Sequence, residues 1–297
     1  MAQAETLLLG ALSLDRYVPG GPVLPGGGAL NVGWHWRTLG LAFRLITRVG
    51  DRDAAMFLDM LDRHGIDYGG PASIVRDGPS ASIDIEVLPD REIWMDHYVP
   101  GVCGDLRFTP DEERLLTGAR RLHGILVEGV IAELGRLGEA GLLEGVEVSA
   151  DFLGFRHYTP ERFADTIRWV DLAIVGWPGA PDDHDVAALR RTVEDLGKRL
   201  VVTFGARGVL IVDGAAGSQR LLAVQPVPVA GTTVGCGDAF IAYLLAEWWA
   251  TRDLFVAAER GKVGGALPTA WLRPLPDDAY GPLLSAGPSR LWRPTGT

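Results

Sequence analysis

Between Gly231 and Leu245 the chain reads GTTVGCGDAFIAYLL. Gly235 and Gly237 lead directly into an apolar run with helical spacing. The first N–H groups of such a helix have no intrahelical acceptor and point outward at the positive end of its dipole, which makes a hole for an anion. Asp238 falls in the first turn, so its carboxylate would stand beside a bound phosphate. Like charges repel, and that placement is costly unless the carboxylate has a task. Accepting the proton of an attacking hydroxyl is such a task, and the chemistry in view is phosphoryl transfer. Taken alone, the same residues would also serve as a tight turn with an acidic helix cap.

A helix that carries this chemistry needs a scaffold to aim it. TLLLGALSLD, from Thr6 to Asp15, predicts an apolar strand ending in a polar loop. Glu5 ahead of it, the lack of Lys or Arg upstream and its short length speak against an export signal or a membrane span. After the Pro/Gly-rich stretch from Pro19 to Gly28, ALNVGWHWRTLG predicts a helix stopping at Gly40. FRLITRVG predicts a strand, and DAAMFLDMLDRHGI a second helix closed by Gly65. From Leu115 the alternation resumes, with strands expected at LHGILVEG, VEVSAD, DLAIVG, RLVVTFG and GVLIVDG and helical patterns such as PERFADTIRWV and DDHDVAALRRTVEDLG between them. This is the grammar of a mostly parallel sheet covered by helices on both faces. SASIDIEVLPDREIWMDHYV alternates apolar and polar residues around Pro89 and Asp90, which predicts an antiparallel hairpin appended to the α/β body. A further apolar helix is expected from Leu254 to Ala266, and an irregular Pro-rich tail after Pro274. No repeat or low-complexity linker divides the chain, so one domain spanning residues 1–297 is expected.

Composition narrows the partners. A net charge of −10 across 297 residues opposes nucleic acid and anionic membrane surfaces at long range, and favours small molecules. Cys103 and Cys236 are the only cysteines, too few for a disulfide framework or a thiolate metal cluster, and they fit a reducing cytoplasm. There is no GxxxxGK[ST] loop, GGGALN lacks the last glycine of a dinucleotide fingerprint, and the six histidines show no HExxH spacing.

The Gly231–Leu245 segment resembles the C-terminal signature of the ribokinase-like (PfkB) carbohydrate and nucleoside kinases, an Asp-Thr-x-Gly-Ala-Gly-Asp followed by a helix. PGGGALN and the later Val49-Gly50-Asp51 resemble that family's N-terminal Gly-Gly-x-x-x-Asn and Val-Gly-Asp, through Gly26, Gly27 and Asn31. VVTFGARGVLIVDG resembles its nucleotide-side strand and turn. The likeness spans about residues 5–270, and HYVPGVCGDLRFTPDE, LHGILVEG and VSADF look most like the fructoselysine kinase type.

The resemblance implies a three-layer α/β/α fold with a small β lid, formed by about residues 12–25 and 72–101. It implies an ATP-dependent kinase acting on a small sugar-like molecule, with magnesium on the nucleotide phosphates and two chains pairing through their lids as a homodimer. Asp238 would be the base, and Gly235, Cys236 and Gly237 the anion hole. Asp15, Gly27, Gly28 and Asn31 would meet the acceptor, with Trp34 or Trp36 candidates to face the same pocket. Thr203, Gly205 and Gly208 would border the nucleotide. The chain departs from the pattern at Thr232 and Cys236, which stand for the family's Asp and Ala. It also lacks the Asn-x-x-Glu associated with magnesium, where GWPGAPDDH offers Asp182 or Asp183 instead, so the metal ligands stay unassigned. A nucleoside kinase of the same fold, and a non-catalytic sugar-binding homologue, are the alternative readings.

Overall fold

The protein is described by a computed structural model covering residues 5–284 except 90, 92 and 156. Its strands, in chain order, are β1 (Thr6–Leu9), β2 (Ser13–Tyr17), β3 (Val23–Gly26), β4 (Arg44–Ile46), β5 (Val49–Gly50), β6 (Val75–Arg76), β7 (Ala81–Val87), β8 (Ile93–Val99), β9 (Arg121–Ile125), β10 (Glu147–Asp151), β11 (Leu172–Gly176), β12 (Arg199–Thr203), β13 (Val209–Asp213) and β14 (Ser218–Leu222). Eight of them form the central sheet in the order β14-β13-β12-β11-β10-β9-β1-β4. The six from β12 to β4 run parallel, and β13 and β14 close one edge antiparallel.

The continuous apolar runs read as strands because both sheet faces are buried. Successive side chains alternate between the faces. Leu8, Ile174 and Val201 enter one apolar core, while Leu7, Leu9, Ala173, Val175, Leu200 and Val202 enter the other. The first core is covered by helices Gly28–Thr38, Ala54–Arg63, Cys236–Thr251 and Leu254–Ala266, the second by Pro110–Thr117, Glu128–Glu139, Pro160–Thr166 and His184–Asp195. Helix Cys236–Thr251 is apolar nearly all round because it is enclosed by its neighbours, packing on helices Leu254–Ala266 and Gly28–Thr38. Trp36 is fully buried and donates its indole N–H to the Ala242 carbonyl at 3.2 Å, and Trp34 packs edge-on against His35, His64 and Trp271. Both are packing residues, and neither reaches the cavity described below. No helix among the described residues is long and apolar enough to cross a membrane.

Three local readings change. The expected first strand is two: the chain leaves the central sheet after Leu9 and enters a second sheet, β3-β2-β7-β8, at Ser13. The crossing is tight, since a Cβ on Gly10 would sit 2.8 Å from the Ala29 Cβ. β14 was not expected, because SQRLL is polar and exposed on an edge. The tail is not irregular as far as it is described. Leu275 and Tyr280 are buried, Arg63 donates to the Tyr280 carbonyl at 2.8 Å, and the Gly231 and Thr232 N–H groups bond the Thr269 and Trp271 carbonyls at 2.7 and 2.8 Å. The segment leading into the tail thus straps the loop that opens helix Cys236–Thr251.

The hairpin forms as β7 and β8, while Asp90 in its expected turn lies outside the described residues. Its pairing shifts register between Ser82 and Asp84, opposite His97, whose φ is 51°. The extra residue re-aims the strand, so Tyr98 joins Met95 on the face toward the body.

Candidate active site

The second sheet and the carboxyl-terminal ends of the parallel strands enclose a cavity of about 430 Å³. Ligands of open α/β sheets bind outside these strand ends, where loops and helix starts converge. Asp151, Gly176 and Thr203 arrive as the last residues of β10, β11 and β12; Ile83, Ile85, Met95 and Tyr98 come from the second sheet. Gly28 and Asn31 come from the start of one helix, and Gly237 and Asp238 from the start of another.

Asp238 is enclosed by protein but keeps part of its surface open to the cavity. Asn31 Nδ2 donates to its Oδ2 at 2.7 Å, and among the described residues Oδ1 has no hydrogen-bond partner. Oδ1 lies against Gly28, where a Cβ would approach it to 3.2 Å. Burial pushes the Asp238 carboxyl up to about 6, with the Asn31 hydrogen bond pulling the other way. Such a carboxylate is ionised at neutral pH and still basic enough to take a proton.

The turn before the helix delivers bare backbone donors. Gly235 adopts the left-handed conformation, Cys236 N–H bonds the Thr233 carbonyl at 3.3 Å, and the N–H groups of Gly237 and Asp238 find no acceptor in the described protein. Of the expected anion hole, Gly235 and Gly237 line the cavity and Cys236 does not. Burial and the nearby Asp238 charge push the Cys236 thiol up to about 12, which leaves it unreactive. Thr232 is buried in the turn itself, its hydroxyl accepting from Val234 N–H at 3.1 Å.

Asp15 sits on β2, 4% exposed, and receives the Ser13 hydroxyl on Oδ1 at 2.7 Å. Burial pushes it up to about 7, the Ser13 bond lowers it, and the Asp238 charge raises it again. Gly27 and Gly28 join Asp15 and Asn31 on the cavity wall. Thr203 reaches the wall as well, whereas Gly205 and Gly208 shape the turn between β12 and β13 and do not line it. Asp151 was missed in the sequence. It too is 4% exposed, and burial together with the Asp238 charge pushes it up to about 7 against the bond from Leu153 N–H.

Magnesium accompanies nucleoside triphosphates and is commonly held by one or two carboxylates plus phosphate oxygens. The described residues contain no group of three or more His, Cys, Asp or Glu that could hold a metal ion. Asp182 is exposed. Asp183 Oδ2 is occupied by the Trp177 indole N–H at 2.8 Å and the Ala180 N–H at 3.0 Å. It organises its own turn.

A mostly parallel sheet between helix layers, a small second sheet and a glycine-led helix start at the strand ends together define the ribokinase-like fold. Ribokinase from Thermotoga maritima superimposes with a TM-score of 0.73 at 16% identity, covering 95% of this chain and 99% of its own. Adenosine kinase from Schistosoma mansoni, solved with 2-fluoroadenosine, gives a TM-score of 0.76 at 12% identity, covering 93% and 98%. Residues 172–268 match the model of the pfkB family carbohydrate kinases. The fructoselysine 6-kinase of Shigella flexneri is 26% identical over 258 residues, covering 85% of this chain and 92% of the relative.

Proposed function

We propose that this chain transfers the γ-phosphoryl group of ATP to a hydroxyl of a sugar or sugar derivative. The observation that carries the reading is a single juxtaposition: an ionisable carboxylate, Asp238, shares the cavity wall with the unpaired N–H groups at the start of its own helix. The acceptor hydroxyl would lie between Asp238 Oδ1 and the γ-phosphorus. Asn31 holds Oδ2, so Oδ1 is the oxygen that takes the proton. The Gly237 and Asp238 N–H groups then meet the negative charge on the phosphoryl oxygens as it is transferred. Asp15 and Asn31 supply hydrogen-bonding groups to the acceptor, and Thr203 stands on the nucleotide side. Magnesium, carried by the nucleotide, would offset phosphate charge. The second sheet, β3-β2-β7-β8, acts as a lid that excludes water.

A fructosamine-type acceptor, suggested by the relatives, is the first to try. A nucleoside is the second, because Ile83, Ile85 and Met95 offer an apolar face on which a base could rest. The test is a coupled assay of ADP production over sugars, Amadori compounds and nucleosides. Turnover dependent on one of these classes is expected. Tight binding of a sugar with no ADP formed from any class would make the protein a non-catalytic binder and overturn the reading.

The lid also bears on assembly. Trp94 on β8 is 60% exposed, and β8 is an open sheet edge that a second copy could cover. We therefore expect a homodimer at micromolar concentration, in the cytoplasm that the two free cysteines suit. Sedimentation should show the dimer, and Trp94→Asp should dissociate it; a strictly monomeric, fully active wild type would refute the pairing.

A further inference from the structure

A second cavity, of about 400 Å³, opens at the base of the lid hairpin, and its wall shares no residue with the one at the strand ends. Three arginines line it from three separate segments: Arg48 between β4 and β5, Arg76 on β6, and Arg107 after β8. In a chain of net charge −10 that grouping is unexpected.

Their charges are unequally matched. Arg48, 3% exposed, pairs with both oxygens of Glu112 at 2.9 and 2.7 Å and donates to the Thr47 and Arg107 carbonyls at 2.7 and 2.5 Å. Arg76 donates to the carbonyls of Ala72, Ser73 and Val75 at 3.3, 3.0 and 2.7 Å, and pairs with no carboxylate among the described residues. Burial, then the Arg48 charge, hold its guanidinium below the usual arginine range, against the pull of Glu112. Arg107 donates to the Leu106 carbonyl at 3.0 Å and reaches Glu133 at 3.5 Å. That carboxylate already accepts from Arg136 at 2.9 and 2.6 Å and from Phe108 N–H at 2.8 Å. Asp77 and Asp105 stand on the same wall, but both are exposed and neither pairs with an arginine among the described residues. Two guanidinium groups thus flank one cavity without a carboxylate of their own. Their planar forks of donors suit the oxygens of a phosphate.

The place of the cavity gives such an anion a consequence. Arg76 precedes β7 and Arg107 follows β8, so the pair brackets the hairpin, whose ends meet where Val102 N–H donates to the Pro79 carbonyl at 3.0 Å. We propose that this cavity binds a small phosphate-bearing anion between Arg76 and Arg107, and that the bound anion fastens the base of the lid. The site lies outside the transfer reaction and does not rest on the phosphotransferase reading.

Calorimetric titration of the full chain with inorganic phosphate, and separately with glycerol 3-phosphate, at constant ionic strength and without nucleotide or metal, tests the assignment. Saturable binding is expected. The double variant Arg76→Gln, Arg107→Gln should weaken it at least about tenfold, whereas Gly237→Ala should leave it within about twofold. The converse pattern would place the ion at the start of helix Cys236–Thr251 and overturns the proposal, as do equal affinities in all three proteins, equal weakening in both variants, or no saturable binding. Should the double variant fail to fold, Arg107→Glu decides alone, because Arg107 is 56% exposed and the same loss is expected there. Inorganic phosphate binding more tightly marks the free ion as the ligand, and the ester binding more tightly marks a phosphorylated metabolite; either supports the site. Hydrogen exchange at saturating phosphate should slow in residues 76–81 and 99–107. Slowing confined to residues 235–238, or none at the ends of the hairpin, overturns the fastening of the lid.

Discussion

Asp238→Asn should lower the turnover number by about a thousandfold or more, within or beyond the usual span for losing a positioned general base. ATP affinity and the melting temperature should stay near those of the wild type. Asparagine has the same shape and can keep the contact with Asn31, but it has no basic carboxylate to accept the hydroxyl proton. Removing a charge that burial disfavours should also not weaken the fold. The sign of the pH dependence follows from the same site. A raised carboxyl holds its proton to higher pH than a free one, and the protonated form cannot act as base. The rate of the wild type should therefore fall as pH drops through about 6, the value for Asp238. A steady-state pH profile checks the limb. If Asp238→Asn retains more than about a tenth of wild-type turnover, another group is the base.

The second large effect separates two glycines that look alike in sequence. A Cβ on Gly237 meets nothing within 4 Å, so the fold does not require glycine there, and alanine is the better helix former by roughly 1 kcal/mol. The open space is the cavity above the helix start, where the transferred phosphoryl group is proposed to sit. Gly237→Ala should melt no lower than the wild type yet turn over about a hundredfold more slowly, the scale of losing one backbone donor to a developing anion. Gly235 is the opposite case. Its φ is +80°, and a Cβ would come within 2.7 Å of the Pro274 Cα. Gly235→Ala should lower the melting temperature, because the left-handed conformation costs an alanine roughly 1–2 kcal/mol and the tail strap must shift. Thermal melts beside single-turnover rates distinguish the two. A destabilised Gly237→Ala with an unchanged rate would remove the phosphoryl group from this position.

What could be read locally was the chemistry of consecutive residues. A glycine-led turn, an acid and an apolar run are enough to build a helix start with free N–H groups, so the helix start at Asp238 was legible without its surroundings, while the task of its carboxylate was not. The same holds for the α/β layering, because strands buried on both faces must be apolar at every position and helices buried on one face must be apolar at every third or fourth. Gly205 and Gly208 show the limit of that approach. Their spacing is equally visible, but they turn the chain between β12 and β13 outside the cavity wall.

Tertiary structure decided which polar groups meet. Asp151 is one acid at the end of an apolar strand, and as a string it reads like any strand-ending residue. Its meaning depends on Asp238, Asp15 and Asn31, brought to one cavity by sheet order and by the crossing at Gly10. The face presented by β8 was likewise out of reach. Strict alternation pairs Met95 with His97, whereas the extra residue at His97 turns Tyr98 inward, a choice made by the register of the partner strand. Helix starts and strand periodicities are set by bonds within a few residues, so the amino-acid sequence determines them directly. The neighbours of a buried carboxylate are set by how distant segments pack, and only the folded chain contains that information.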